Sequence, residues 1–127
     1  MIDFETALKI HNLLIDEFGG TRGIRDRSLL DSALNRPFQT FDGELLYPSL
    51  IDQSGAIIES IVKNHPFHDG NKRTGYTLMR LHLLNNGLDI NASEDEKYNF
   101  VISIASGRID FDQIKQWIEK KIEKNEG

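Results

Sequence analysis

No cysteine occurs in the sequence, which excludes disulfides and thiolate metal sites and fits a cytoplasmic protein. No apolar run approaches the roughly 20 residues that a membrane span needs. The opening Met1-Ile2-Asp3-Phe4-Glu5 has neither the basic nor the apolar region of a signal peptide, so a cytoplasmic location without membrane association is expected. Positive charge is also short: 15 Lys and Arg stand against 20 Asp and Glu, a net charge of -5. General nucleic-acid binding needs a basic surface and is therefore not expected. A phosphate bound by so acidic a chain must sit in a local basic pocket. Internal repeats and low-complexity tracts are absent as well. What remains, 39% hydrophobic and 28% charged residues, argues against disorder. A chain of 127 residues suffices for one domain and not for two, so residues 1–127 are read as a single domain.

Apolar periodicity predicts a helix over 3–18 through Phe4, Leu8, Ile10, Leu14 and Phe18, stopped by Gly19-Gly20. Asp26 is a suitable N-cap for a short helix over Arg27–Asn35, with Pro37 just beyond it. Residues 38–47 differ in kind. Two short runs, Phe38 to Phe41 and Glu44 to Tyr47, flank Asp42-Gly43, a dipeptide suited to a two-residue hairpin turn. The alternatives are a small β flap or an irregular loop, and the flap is favoured. A helix is expected from Pro48 to about Lys63, and another from about Asn71 to Asn85 closed by Asn86-Gly87. The second, with Leu78, Leu81 and Leu84 on one side, is expected to be the central and most buried helix. Ser93 or Asp95 opens a further helix to about Ala105, and a last one follows Asp110. Its tail, Glu119 to Lys124, is dense in charge and is expected to fray. The fold class expected is all-α: a bundle of about six helices with a small β-hairpin flap before the central loop.

That loop is His65-Pro66-Phe67-His68-Asp69-Gly70-Asn71-Lys72-Arg73-Thr74-Gly75. It enters a helix N-terminus, where free backbone N–H groups and the macrodipole favour an anion. Lys72 and Arg73 have the wrong sign for that dipole, a conflict that a bound phosphate removes. His65 suits a general base, because imidazole titrates near working pH, or could cap the preceding helix. Asp69 could hold magnesium, which prefers hard oxygen ligands and substrate phosphates, or could be an N-cap. Gly70 lets the backbone approach a phosphate or simply permits the turn. Asn71 could bond a phosphate oxygen or cap the helix. Arg73 offers a planar fork and Lys72 a mobile point charge, and Arg80, on the same helix face, could extend the basic wall. Phe67 reads as the anchor of the loop, and His11, His82 and Trp117 as ordinary polar or core residues. The segment lacks the glycine and Gly-Lys-Ser/Thr order of a P-loop. A metal-dependent phosphohydrolase pair at His68-Asp69, with His65 or His82 as further ligands, lacks the acidic residues such a site needs.

His-Pro-Phe-His-Asp-Gly-Asn-Lys-Arg-Thr at 65–74 resembles the signature of the Fic/Doc family, His-x-Phe-x-(Asp/Glu)-Gly-Asn-(Gly/Lys)-Arg. Gly19-Gly20, Gly23-Ile24-Arg25-Asp26 and Leu29 to Pro37 are similar to the N-terminal half of its death-on-curing toxins. The resemblance implies a helical fold and transfer of part of ATP, with Mg²⁺, onto a protein hydroxyl. Position by position, it implies that His65 deprotonates the hydroxyl and that Asp69 holds the metal. Gly70, Asn71 and Arg73, with Lys72 beside them, bind the phosphates, and the flap aligns the target by strand pairing. AMP-transferring members usually have Gly where Lys72 stands here, and Lys72 resembles the death-on-curing branch, which phosphorylates. Gly70 follows the wider family, whereas the best-known death-on-curing toxin has Ala there. Phosphorylation is favoured, with AMP transfer (AMPylation) and a catalytically inactive partner-binding domain as alternatives. The family's precedent for a target is a translation factor. The inhibitory motif Ser/Thr-x-x-x-Glu-Gly/Asn has no full match here, since Leu45 follows Thr40 to Glu44. Inhibition is therefore expected from a separate antitoxin-like protein, as in bacterial toxin–antitoxin pairs.

Overall fold

The computed structural model describes residues 1–125. Its elements run α1 (Phe4–Phe18), α2 (Arg27–Asn35), a 3₁₀ turn (Arg36–Phe38), β1 (Thr40–Phe41), β2 (Glu44–Leu45), α3 (Leu50–Asn64), α4 (Asn71–Leu84), β3 (Leu88–Ile90), α5 (Glu94–Ala105), α6 (Phe111–Lys121) and β4 (Ile122–Lys124). No helix among the described residues is long and apolar enough to cross a membrane. The expected all-α bundle is what forms, with helix starts set by short polar side chains. Asp3 and Asp26 each accept an N–H of the first turn. Ser49 with Asp52, Ser93 with Glu96 and Asp110 with Gln113 form reciprocal capping boxes.

The core has two lobes that share α3. On one side Ile58 and Val62 pack with Met79 and Leu83 of α4, Phe100 and Ile104 of α5, and Ile114 and Ile118 of α6. On the other, Ile57 and Ile61 pack with Ala7 of α1, Leu30 and Leu34 of α2, Leu78 of α4 and Phe67 of the loop. The most buried helix is thus α3 and not α4, with nine buried residues against seven. Gln53, Ser54, Gly55 and Ser60 of α3 read as solvent-facing by residue type, yet all four are buried. Small side chains let neighbouring elements approach. A Cβ at Gly55 would stand 3.3 Å from Phe111, and one at Gly75 of α4 would stand 3.0 Å from Val62. Gly75 therefore lets α4 lie close against α3, which carries the loop at its C-terminal end.

The flap is present and short. Thr40 pairs with Leu45 and Phe41 with Glu44, around Asp42 and Gly43 at φ 51° and 79°. Positive φ at both central residues is the condition for the two-residue turn that Asp-Gly suits. A second pairing was not anticipated: β3 and β4 run antiparallel, with Ile90 opposite Ile122 and Leu88 opposite Lys124. The charged tail therefore does not fray through Lys124. Ile122 packs against the core and the backbone of 122–124 finds ladder partners, so charge density alone misjudged it.

Candidate active site

The loop 65–70 joins the two central helices, and its shape is imposed from both ends. His65 is the C-cap of α3 in the left-handed region, φ 52° and ψ 60°, uncommon for a residue with a side chain. Phe67 is fully buried and stacks on the His11 ring at 3.8 Å. The Asn71 amide bonds the Phe67 backbone twice: Oδ1 accepts from its N–H at 3.0 Å and Nδ2 donates to its C=O at 2.9 Å. His11 Nε2 donates to the Asp69 carbonyl at 2.7 Å. A buried residue on each side thus fixes the loop backbone before any ligand arrives.

The segment between α1 and α2 forms the backing of the loop. Thr21 N–H donates to Asp69 Oδ2 at 3.0 Å, and His68 N–H to Gly23 O at 3.1 Å. Ile24 bridges Phe67, and the N–H groups of Arg25 and Asp26 both donate to Pro66 O. The Arg25 guanidinium donates to His65 O at 2.6 Å and Asn64 O at 2.7 Å, placing a cation on the C-terminal carbonyls of α3. Gly20 and Gly23, both at φ 120°, are needed for room: a Cβ at Gly20 would lie 2.7 Å from Asp69 Oδ2, and one at Gly23 3.0 Å from the His68 ring.

His65, Asp69, Gly70, Asn71, Lys72 and Arg73 then share one cleft of about 550 Å³. Its far wall is Tyr76 and Thr77 of α4 with Glu94, Lys97, Tyr98, Val101 and Ile102 of α5. Of the six α-helices among the described residues, five are capped by a side chain at their N-terminus, and α4 is not: its N-cap is Gly70, with no side-chain bond. The first-turn amides of α4 face the cleft beside Lys72 and Arg73, an anion-binding arrangement. Among the described residues no carboxylate pairs with Arg73, whose guanidinium lies 4.0 Å over the Phe18 ring. The Asp69 carboxyl is held below the usual carboxylate range by hydrogen bonds from Thr21 N–H and Gly70 N–H, helped by charge from His11 and Lys72. It is ionised and exposed, a hard ligand of the kind magnesium takes singly alongside phosphate oxygens. Burial pushes the Tyr76 phenol up to about 12, so it stays neutral in the cleft wall.

A sequence model of the Fic/DOC family matches residues 1–83. The chain is also 36% identical over 99 residues to a protein of Mycolicibacterium smegmatis named Toxin Doc, covering 76% of each chain. The chain belongs to the Fic/Doc family. The match to the family model ends at α4, so the α5 wall of the cleft lies outside it.

One expectation about this Fic/Doc site needs revision. Arg80 does not extend the basic wall: both its Nε and Nη2 donate to the Asp89 carboxylate, at 2.7 and 3.0 Å, and it is not among the cleft residues. The Asn71 side chain is engaged with Phe67 through Oδ1 and one Nδ2 hydrogen, so it shapes the loop, and its backbone N–H and second amide hydrogen remain for an anion. The His-Asp phosphohydrolase alternative finds no support either. Among the described residues no three His, Asp or Glu side chains converge on a metal position, and His82 is bonded to Gln53. Sequence reasoning missed His11, Thr21 and Arg25. The last two lie in the Gly19–Asp26 stretch that carried the family resemblance, whereas nothing in its own helix marks His11.

Proposed function

We propose that this protein is the toxin of a toxin–antitoxin pair and phosphorylates a hydroxyl side chain of a cellular protein with ATP. The supporting observation is the uncapped start of α4 beside Lys72 and Arg73, within one cleft with the exposed imidazole of His65. The first-turn amides and Arg73 hold and orient the phosphates, and Lys72 adds positive charge. His65 takes the proton of the target hydroxyl. The hydroxyl oxygen bonds to the γ-phosphorus as the bond to the bridging oxygen breaks, and ADP leaves with that electron pair. Asp69 would hold a magnesium ion, which would supply charge neutralisation at the phosphates. Positioning and electrostatics carry most of the rate in such transfers, so no further group is required. The flap presents exposed edges for a target strand.

Transfer of AMP from the α-phosphorus is the second reading. Lys72 favours phosphorylation over it, since it adds a side chain where AMP-transferring relatives usually have glycine. Regulation comes from outside the chain. Glu44 lies in the flap and not on a helix facing Arg73, and Glu94 of the cleft wall pairs with Lys97, so among the described residues Arg73 is left open to a carboxylate that a partner delivers. An antitoxin segment that folds into a helix on binding meets that need. Expression of the chain alone tests this: wild type arrests growth and His65→Ala does not, while His65→Ala keeps ATP affinity because a base acts on the hydroxyl. General-base loss lowers rate by about 10²–10⁴. Equal growth of both strains in a host that contains the target contradicts the toxin reading.

A further inference from the structure

The described mechanism leaves one buried titratable side chain without a part to play. His82 of α4 is 4% exposed, and its Nε2 lies 2.9 Å from Gln53 Oε1. An amide oxygen only accepts, so Nε2 carries the proton and donates. Gln53, itself buried, passes the bond on: its Nε2 donates to the Tyr47 carbonyl at 3.1 Å. The Tyr47 hydroxyl accepts from Arg36 Nε at 2.9 Å, and Arg36 is tied to Ser60 and Glu59 of α3 at 2.9 and 3.0 Å. Tyr47 is the foot of the flap on its C-terminal side. The other foot, Phe38, sets its ring edge-on to the His82 imidazole, 5.9 Å between centroids. Every residue from Gln39 to Leu46 is exposed, and one backbone bond, Leu46 N–H to Gln39 O at 3.0 Å, closes the base.

We propose that His82 is a positioning residue that fixes the flap relative to the anion-binding end of α4, acting through Gln53 on Tyr47 and directly on Phe38. Two buried polar side chains are costly where a leucine pair would fill the space, and a satisfied network returns a unique geometry. The exposed flap has no core contacts of its own to set that geometry. The first turn of the same helix carries Lys72 and Arg73, so the relay ties the flap to the helix whose start faces the phosphates. This inference rests on the proposed role of the flap in aligning a target strand.

The test compares His82→Leu, His82→Gln and Gln53→Met with wild type by amide hydrogen exchange, ATP binding with magnesium, and transfer of label from ATP to lysate proteins. Leucine leaves Gln53 without its donor, while glutamine can supply an N–H. His82→Leu is expected to speed exchange of the Leu46 amide about tenfold, the scale of one lost buried hydrogen bond. ATP affinity is expected to stay within about twofold, because the helix N-terminus is untouched, while transfer falls and His82→Gln recovers both readouts. If His82→Leu does not fold, Gln53→Met carries the test: it removes the link between His82 and the Tyr47 carbonyl, and it too should loosen the flap and spare ATP binding. Unchanged flap exchange in a folded variant, or ATP affinity lost in step with transfer, overturns the proposal. If wild type transfers no label, the catalytic reading fails, and the exchange result still decides whether His82 sets the flap.

Discussion

Replacing Gly20 and Gly19 in turn by alanine separates backbone strain from the support given to Asp69. Gly20 sits at φ 120° and Gly19 at φ 88°, conformations that cost a residue with a Cβ roughly 1–3 kcal/mol. Both variants should therefore lose comparable stability, at about 4 °C of melting temperature per kcal/mol for a chain of this size. Their surroundings differ. A Cβ at Gly19 would meet nothing within 4 Å, whereas one at Gly20 would stand 2.7 Å from Asp69 Oδ2 and 3.0 Å from Ile15 Cδ1. Gly20→Ala alone must move the carboxylate and stretch its 3.0 Å bond from Thr21. Magnesium-dependent ATP binding, followed by titration calorimetry, should then be about tenfold weaker in Gly20→Ala than in Gly19→Ala. ATP binding without metal should match in the two. Equal metal-dependent affinities at equal stability would refute the claim that the segment after α1 positions the carboxylate proposed to hold the metal.

Three further outcomes follow from the same geometry. Asn71→Leu strands the buried N–H and C=O of Phe67 and should destabilise the fold by roughly 2–4 kcal/mol in chemical denaturation, more than a surface capping residue would. Arg25→Ala removes the two guanidinium bonds to Asn64 O and His65 O and should cost about 1 kcal/mol, with faster amide exchange in the loop. The Glu96 carboxyl is held down from 4.5 to about 2, first by Lys121 and then by the Ser93 amide and hydroxyl. A depressed folded pKa gives stability that is full above about 4.5 and is lost as pH falls toward about 2. The melting temperature should drop across that window, and Glu96→Gln should flatten the drop.

Most of the fold was legible because its signals are local. Asp26, Ser93 and Asp110 mark helix starts by hydrogen bonds within three residues, and Asp42-Gly43 marks the turn by its backbone preference. What the sequence hid depends on long-range partners. The burial of Gln53, Ser54 and Ser60 follows from what packs on α3, and hydropathy alone gives those residues to solvent. Pairing of Ile122–Lys124 with Leu88–Ile90 joins segments more than 30 residues apart, and no local pattern announces it. In the candidate site, the residues of 65–73 were legible as a group because six phosphate-compatible residues crowd one short stretch. Arg80 was misread because helical periodicity gives a face and not a partner, and Asp89 claims that guanidinium. His11 was missed for the converse reason: its partner, the Asp69 carbonyl, lies 58 residues away.

The central claim is that His65 and the start of α4 transfer the γ-phosphoryl group of ATP to a protein hydroxyl. Parallel reactions of the purified chain with cell lysate and magnesium, using ATP labelled at either the α or the γ phosphate, test it most directly, with His65→Ala alongside. Label reaching a protein from the γ position alone, and only with wild type, is the predicted result. Label from the α position contradicts it in favour of AMP transfer, and no transfer from either position contradicts catalysis itself.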